Sequence, residues 1–124
     1  MFIDDDMLVP VDIIERLLSH NKDIVSASYP ILKLDEIEDS SGAIGDELTK
    51  VVRCGLGACL ISRKVIEECI NFELFTMSFD KDGEVILGED TRFCDVAKSS
   101  GYDVYVDFDV VCDHLKVLPL KEVI

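Results

Sequence analysis

The sequence predicts a single α/β domain, and three observations predict it. Short runs rich in β-branched and aromatic residues alternate with segments whose apolar residues recur at helical spacing. Gly, Pro, Asn and Asp clusters punctuate the boundaries between them. The length of 124 residues and an apolar content of 48% suit one packed core spanning 1–124. Strands alternating with helices imply a mixed β-sheet flanked by helices.

The chain opens on a strand, Phe2-Ile3-Asp4, which runs into Asp5-Asp6 and then Met7-Leu8-Val9-Pro10. Pro10 suits the first turn of a helix, where its missing N–H is no loss. Ile13, Ile14, Leu17 and Leu18 form a stripe expected to pack on the sheet, with Asp12, Glu15 and Arg16 facing away. His20-Asn21 ends this helix, and His20 is expected as a surface residue favoured by the helix dipole. A strand follows over 23–29, closed by Pro30. The acidic stretch 33–47 is expected as a solvated loop or a β-excursion.

Residues 48–53 read as a strand running into Cys54-Gly55-Leu56-Gly57-Ala58-Cys59. The two glycines permit φ > 0 or a close backbone approach, and a bulge explains them equally well. The strand resumes at Cys59, and Ser62 is a plausible N-cap for a helix over Arg63–Cys69. Residues 72–79 are aromatic and irregular, and Asp80-Lys81-Asp82-Gly83 signals a turn. Gly88-Glu89-Asp90-Thr91 opens a helix whose inner stripe is Phe93, Val96 and Ala97, and Gly101 ends it. Residues 102–106 alternate as a strand, and a second apolar run, 110–112, delivers Asp113-His114.

Charge excludes several functions. Twelve basic residues against 26 acidic ones leave a net charge of −14. No basic stripe exists to displace counterions from a phosphate backbone, so nucleic acid is not an expected partner. An anionic small ligand needs a metal to bridge it to the acids. No apolar stretch approaches the roughly 18 residues of a membrane span, and Asp4 interrupts the N-terminus too early for a signal peptide. A cytoplasmic location is the default expectation. The five cysteines are odd in number and lack CxxC spacing, so they read as small buried hydrophobes in a reduced compartment.

Three features carry chemistry. Carboxylates gathered where a strand ends repel one another unless a cation sits among them, although an acidic triplet can equally mark a solvated turn. Asp4 and Asp6 flank one residue and can point at one site. With His114 they would suit Mg²⁺ or Mn²⁺, the imidazole tilting the preference to Mn²⁺; alternatively His114 is a hydrogen-bonded histidine at the core edge. Asp90 stands in the first turn of a helix, either capping it with Glu89 and Thr91 or aimed at a hydroxyl as a general base.

Taken in order, FIDDDMLVPVDIIERLL, VVRCGLGACLISRKVIEEC and GEDTRFCDVAKSSGYDVYVDFDVVCDHL resemble the later part of GT-A glycosyltransferases. The likeness is to the large inverting family that includes cellulose and chitin synthases. It implies a partial GT-A-like fold in which a divalent cation (Mn or Mg) is held by Asp4, Asp6 and His114 on a nucleotide-sugar diphosphate. It implies further that Asp90 activates the acceptor hydroxyl, that Glu89 orients it or touches acceptor, and that Asp5, Gly55 and Gly57 lie on the substrate side. The family pattern has βαβ structure ahead of the DxD, which makes this chain's first strand central. An exposed edge there would invite pairing with a second copy or with a missing N-terminal half.

Two other readings compete. A strand-end DxD also resembles phosphatases of the haloacid dehalogenase type, with Asp4 as nucleophile, Asp6 as acid/base, and Glu89, Asp90 and Asp95 on magnesium. Against it, Met7-Leu8 follows the second aspartate where that family has Gly-Thr. The non-enzymatic reading is a binding or assembly module that kept the fold without turnover.

Overall fold

The computed structural model describes residues 1–33, 36–69 and 78–115. In chain order these form β1 (Phe2–Ile3), β2 (Met7–Leu8), α1 (Ile13–Leu18), β3 (Ile24–Ser28), β4 (Pro30–Lys33), β5 (Glu36–Asp39), β6 (Leu48–Val51) and β7 (Ala58–Ile61). There follow α2 (Arg63–Cys69), β8 (Ser78–Phe79), β9 (Val85–Leu87), α3 (Glu89–Ser99), β10 (Val104–Val111) and β11 (Asp113–His114). Five strands make one sheet in the order β1-β7-β3-β10-β6. The β3–β10 pair is parallel and the other neighbours are antiparallel, so the sheet is mixed.

Period-two alternation divides the core between the two faces of this sheet. Ile24, Cys59, Ile61, Val104 and Val106 face α2 and α3, where Val65, Cys69, Phe93, Cys94 and Ala97 complete one cluster. Val25, Ala27 and Ala58 point the other way, onto Ile13 and Leu17 of α1. The strands are apolar on both faces because both are covered by helices. All five cysteines are free and buried.

Several boundaries differ from expectation. Pro10 lies ahead of α1, and its carbonyl accepts the Ile13 N–H at 3.1 Å. Only half of the expected α1 stripe is buried: Ile13 and Leu17 are 3% and 0% exposed, whereas Ile14 and Leu18 are 48% and 63% exposed. A six-residue helix makes too few turns to apply a broad stripe to the sheet. The two apolar runs at 102–106 and 110–112 belong to a single eight-residue strand, β10. Its register shifts between Asp107 and Val111, so Val110 turns to the α1 face although Val106 faces α2 and α3.

That irregularity has a polar pin that the sequence did not signal. Asp107 is 6% exposed and accepts the Asp109 N–H at 2.9 Å. Its other oxygen meets His20 Nε2 at 2.6 Å, and Arg16 donates to the Asp109 carbonyl at 3.0 Å. His20 therefore ties the end of α1 to β10 rather than standing free on the surface.

The acidic stretch after β3 proves to be a β-excursion, with β4 and β5 paired antiparallel. The Asp80–Gly83 turn joins β8 to β9, with Gly83 at φ +84°, and Gly101 follows α3 at φ +96°. Of the expected irregular aromatic stretch 72–79, all but β8 lies outside the described residues. The first strand, central in the family pattern, stands here at the exposed edge expected where the preceding strands are missing: among the described residues the partner of β1 is β7 alone. Among the described residues no helix is long and apolar enough to cross a membrane.

The α1 correction has a direct energetic consequence. Leu17→Ala empties a fully buried position and is expected to cost about 3 kcal/mol of unfolding free energy. Leu18→Ala, on the exposed side, is expected to change it by less than about 0.5 kcal/mol. Urea denaturation of both variants measures the difference, and equal losses would contradict the one-sided packing of α1.

Candidate functional site

The two parallel strands end at the same margin of the sheet, and ligands in α/β folds sit beyond such carboxyl ends. Tyr29-Pro30 follow β3, and Cys112 followed by β11 continues β10. β11 then pairs antiparallel with β2, setting His114 opposite Met7 and Asp113 opposite Leu8. The segment before β2 is a turn closed by Met7 N–H on the Asp4 carbonyl, at 3.3 Å. Leu115 N–H donates to the Asp6 carbonyl at 2.8 Å, completing the ribbon.

This pairing brings together two residues 108 positions apart: Asp6 Oδ2 lies 3.0 Å from His114 Nε2. The other ring nitrogen, Nδ1, is 2.8 Å from the Pro30 carbonyl oxygen. A carbonyl only accepts, so Nδ1 carries the proton of a singly protonated imidazole. Nε2 then presents a lone pair to a carboxylate that also offers only lone pairs. One proton more on either group, making His114 an imidazolium or Asp6 a carboxylic acid, closes this contact as a hydrogen bond, and a cation between the two donor atoms would satisfy it as well. A backbone carbonyl fixing the remote nitrogen is the usual support of a metal-ligating histidine. Asp6 and His114 thus fit two adjacent positions of a divalent cation's sphere, leaving the others to water and ligand oxygens.

Asp4 takes a different place. Its N–H donates to the Gly57 carbonyl at 2.9 Å, which keeps it in line with β1. Its side chain lines an open cleft of about 290 Å³ with Phe2, Leu56, Glu89 and Asp90. Among the described residues no group of three or more His, Cys, Asp or Glu side chains stands ready to hold a metal. The expected trio of Asp4, Asp6 and His114 is therefore not assembled as such: Asp6 meets His114, and Asp4 lies on the Asp90 side. Asp5, between them at the tip of the turn, is exposed.

Asp90 is the second residue of α3, after the N-cap Gly88 and Glu89. Its carboxylate reaches across to the 54–57 loop and accepts the Leu56 N–H at 3.2 Å. Burial raises its pKa above the ordinary aspartate range; the Leu56 N–H opposes this, and Glu89 and Asp4 add to it. A carboxylate held above its usual range, half-buried and facing a cleft, is a stronger base than a solvated one.

The glycines of the expected substrate loop have negative φ, and a close approach accounts for them. A Cβ at Gly55 would stand 2.0 Å from the Tyr29 hydroxyl, and one at Gly57 would stand 2.9 Å from it and 2.7 Å from Met7 Cε. Both glycines are buried, so the group they admit is Tyr29, and the loop residue that lines the cleft is Leu56. Gly57 N–H donates to the Tyr29 hydroxyl at 3.0 Å. Tyr29 was legible only as the last residue of a strand.

Two neighbours remain. Asp95 pairs with Arg53 at 3.4 Å and lines a different cleft with Arg92, Val96, Ser99 and Ser100. Cys54 and Cys94 face each other, sulfur to sulfur, at 4.0 Å beneath the Asp90 turn. Hydrogen bonding to Cys59 and to Cys54 respectively, together with burial, raises both thiols well above their ordinary range, which leaves them unreactive packing groups.

No family model matches the chain, and no curated protein does. Among solved structures it is similar to the one titled "Crystal Structure of A197 from STIV", with a TM-score of 0.57 and 22% sequence identity over 93% of this chain. The chain spans 56% of the length of that protein. The likeness shows a shared α/β fold.

Proposed function

We propose that this chain is the metal- and acceptor-side part of a glycosyltransferase that moves a sugar from a nucleotide-sugar to a hydroxyl acceptor. The observation that carries the reading is the meeting of Asp6 with His114, Nε2 facing Oδ2 at 3.0 Å with Nδ1 engaged by Pro30. Bound there, Mn²⁺ or Mg²⁺ would supply the positive charge that stabilises a departing diphosphate. Asp90 is the general base. It takes the proton of the acceptor hydroxyl as that oxygen bonds to the anomeric carbon and the bond from carbon to the diphosphate oxygen breaks. Glu89 and Asp4 line the same cleft and keep Asp90 avid for a proton. The resemblance of the ordered DxD, glycine-loop, ED-helix and final histidine segments supports the same assignment.

Melting curves with Mn²⁺ and ADP, CDP, GDP or UDP in turn test the donor side. A shift that needs both metal and a nucleoside diphosphate is expected. A shift with metal alone would favour a non-catalytic module, and metal-dependent phosphate-ester hydrolysis lost on Asp4→Asn would favour a phosphatase.

Asp90→Asn is expected to lower kcat for transfer by about 10²- to 10⁴-fold, the usual contribution of a general base, without weakening metal binding. The same variant has a signature in stability. Because the folded state raises the Asp90 pKa above its ordinary 3.8, the native protein binds more protons than the unfolded chain between those two values. Stability therefore falls as pH rises through that window and stays lowered above it. Measured with chelator present, Asp90→Asn is expected to melt higher than the parent at neutral pH. The gain should vanish below the ordinary aspartate range, and a gain independent of pH would contradict the burial of a charged Asp90.

His114→Ala is expected to weaken Mn²⁺ binding about tenfold or more, and Mg²⁺ binding less, because imidazole suits the softer ion. Equal losses in titration calorimetry would remove His114 from direct contact with the metal.

A further inference from the structure

We propose that Tyr29 is a positioning residue that couples the Asp6–His114 pair to the Asp90 loop; its importance to transfer rests on the function proposed above, but the coupling does not. Tyr29 is 5% exposed and touches both halves of the site. Its ring stands edge-on to the His114 imidazole, with centroids 5.6 Å apart and planes at 88°. The next residue, Pro30, holds His114 Nδ1 through its carbonyl. On the other side the Tyr29 hydroxyl accepts the Gly57 N–H at 3.0 Å, and the preceding N–H of that loop, Leu56, is the one on Asp90.

The contacts form a continuous line from imidazole to ring, hydroxyl, Gly57, Leu56 and the Asp90 carboxylate. Its fit is tight on the loop side. A Cβ at Gly55 would overlap the hydroxyl at 2.0 Å, so loop and ring cannot shift independently. The hydroxyl keeps its own proton, since burial pushes its pKa up to about 12. It is therefore a neutral anchor for the loop and adds no further negative charge beside Asp90. A ring without the hydroxyl would keep the imidazole contact and release the loop.

The test is Tyr29→Phe in the full chain, read by NMR and hydrogen exchange. Losing the hydroxyl is expected to speed amide exchange at Gly57 about two- to tenfold, as befits one net hydrogen bond. The carboxyl carbon of Asp90 should titrate at higher pH than in the parent, because the Leu56 N–H that holds it down is loosened. The His114 ring resonances and Mn²⁺ affinity should stay as in the parent, a split that a general loss of packing would not give. Unchanged Gly57 exchange and Asp90 titration would overturn the proposal. So would equal disturbance of Asp90 and His114. Gly55→Ala, which displaces the ring itself, is expected to disturb both ends; an undisturbed Asp90 in that variant would also count against the coupling. None of these readouts requires sugar transfer, so the expected shifts in a chain that shows no joint stabilisation by metal and nucleoside diphosphate would sink the transferase reading and leave the coupling standing.

Discussion

The parallel pairing of β3 with β10 is the constraint on which the site depends. It ends two strands from distant parts of the sequence at one margin of the sheet, so Tyr29-Pro30 and Cys112-Asp113-His114 emerge side by side. The β2–β11 ribbon then needs only two residues on each side to bring Asp6 against the imidazole. Pairing of so few residues is weak alone. It is reinforced by the Leu115 N–H on Asp6, the Pro30 carbonyl on Nδ1 and the Tyr29 ring edge, each delivered by an element the main sheet already holds. The site is rigid where it meets the sheet and open where Asp4, Glu89 and Asp90 face solvent.

Electrostatics at this margin run against stability. Asp4, Glu89 and Asp90 share one cleft in a chain of net charge −14; Asp6 beside it meets His114, while Arg16, Lys50 and Arg53 pair elsewhere with Asp12, Asp103 and Asp95. Desolvation and the neighbouring acids make Asp90 hold its proton more tightly than a solvated aspartate would. Evolution of a stable fold alone would favour an amide or a basic partner at that position. A concave patch of one sign also raises the local concentration of cations.

Much of the architecture was legible because it is written in local pattern. Period-two runs marked β3 and the first part of β10, Gly101 and the 80–83 turn marked ends, and Phe93 and Ala97 marked the buried face of α3; the run at 59–61, expected to resume the 48–53 strand, is instead the separate strand β7, with β3 and β10 between it and β6. What was not legible depends on long-range contact. Ile14 and Leu18 continue the helical apolar spacing perfectly well, yet α1 is too short to bury them. Asp107 sits in a strand as a solvated acid would, and only the arrival of His20 from α1 explains its burial. At the site, Asp6, His114 and Asp90 could be named from residue type and order. The division of Asp4 from Asp6, and the part of Tyr29, could not, because glycine pairs announce a close approach without saying what approaches.

Tyr29 also explains why the glycine loop has its form. Two glycines in three residues are expensive in backbone entropy, roughly 1 kcal/mol each relative to alanine in ordered structure. A ligand could justify that cost, but here a phenol already occupies the space beside both. Packing a side chain there fixes the loop in the absence of any ligand, so the Leu56 N–H is aimed at Asp90 beforehand. On the proposed reading of Asp90 as a base, such a loop would need no reorganisation on substrate binding, and a base held in place beforehand is more effective than one ordered on binding. The glycines make room for Tyr29, whose hydroxyl holds the Gly57 N–H next to the Leu56 N–H on Asp90.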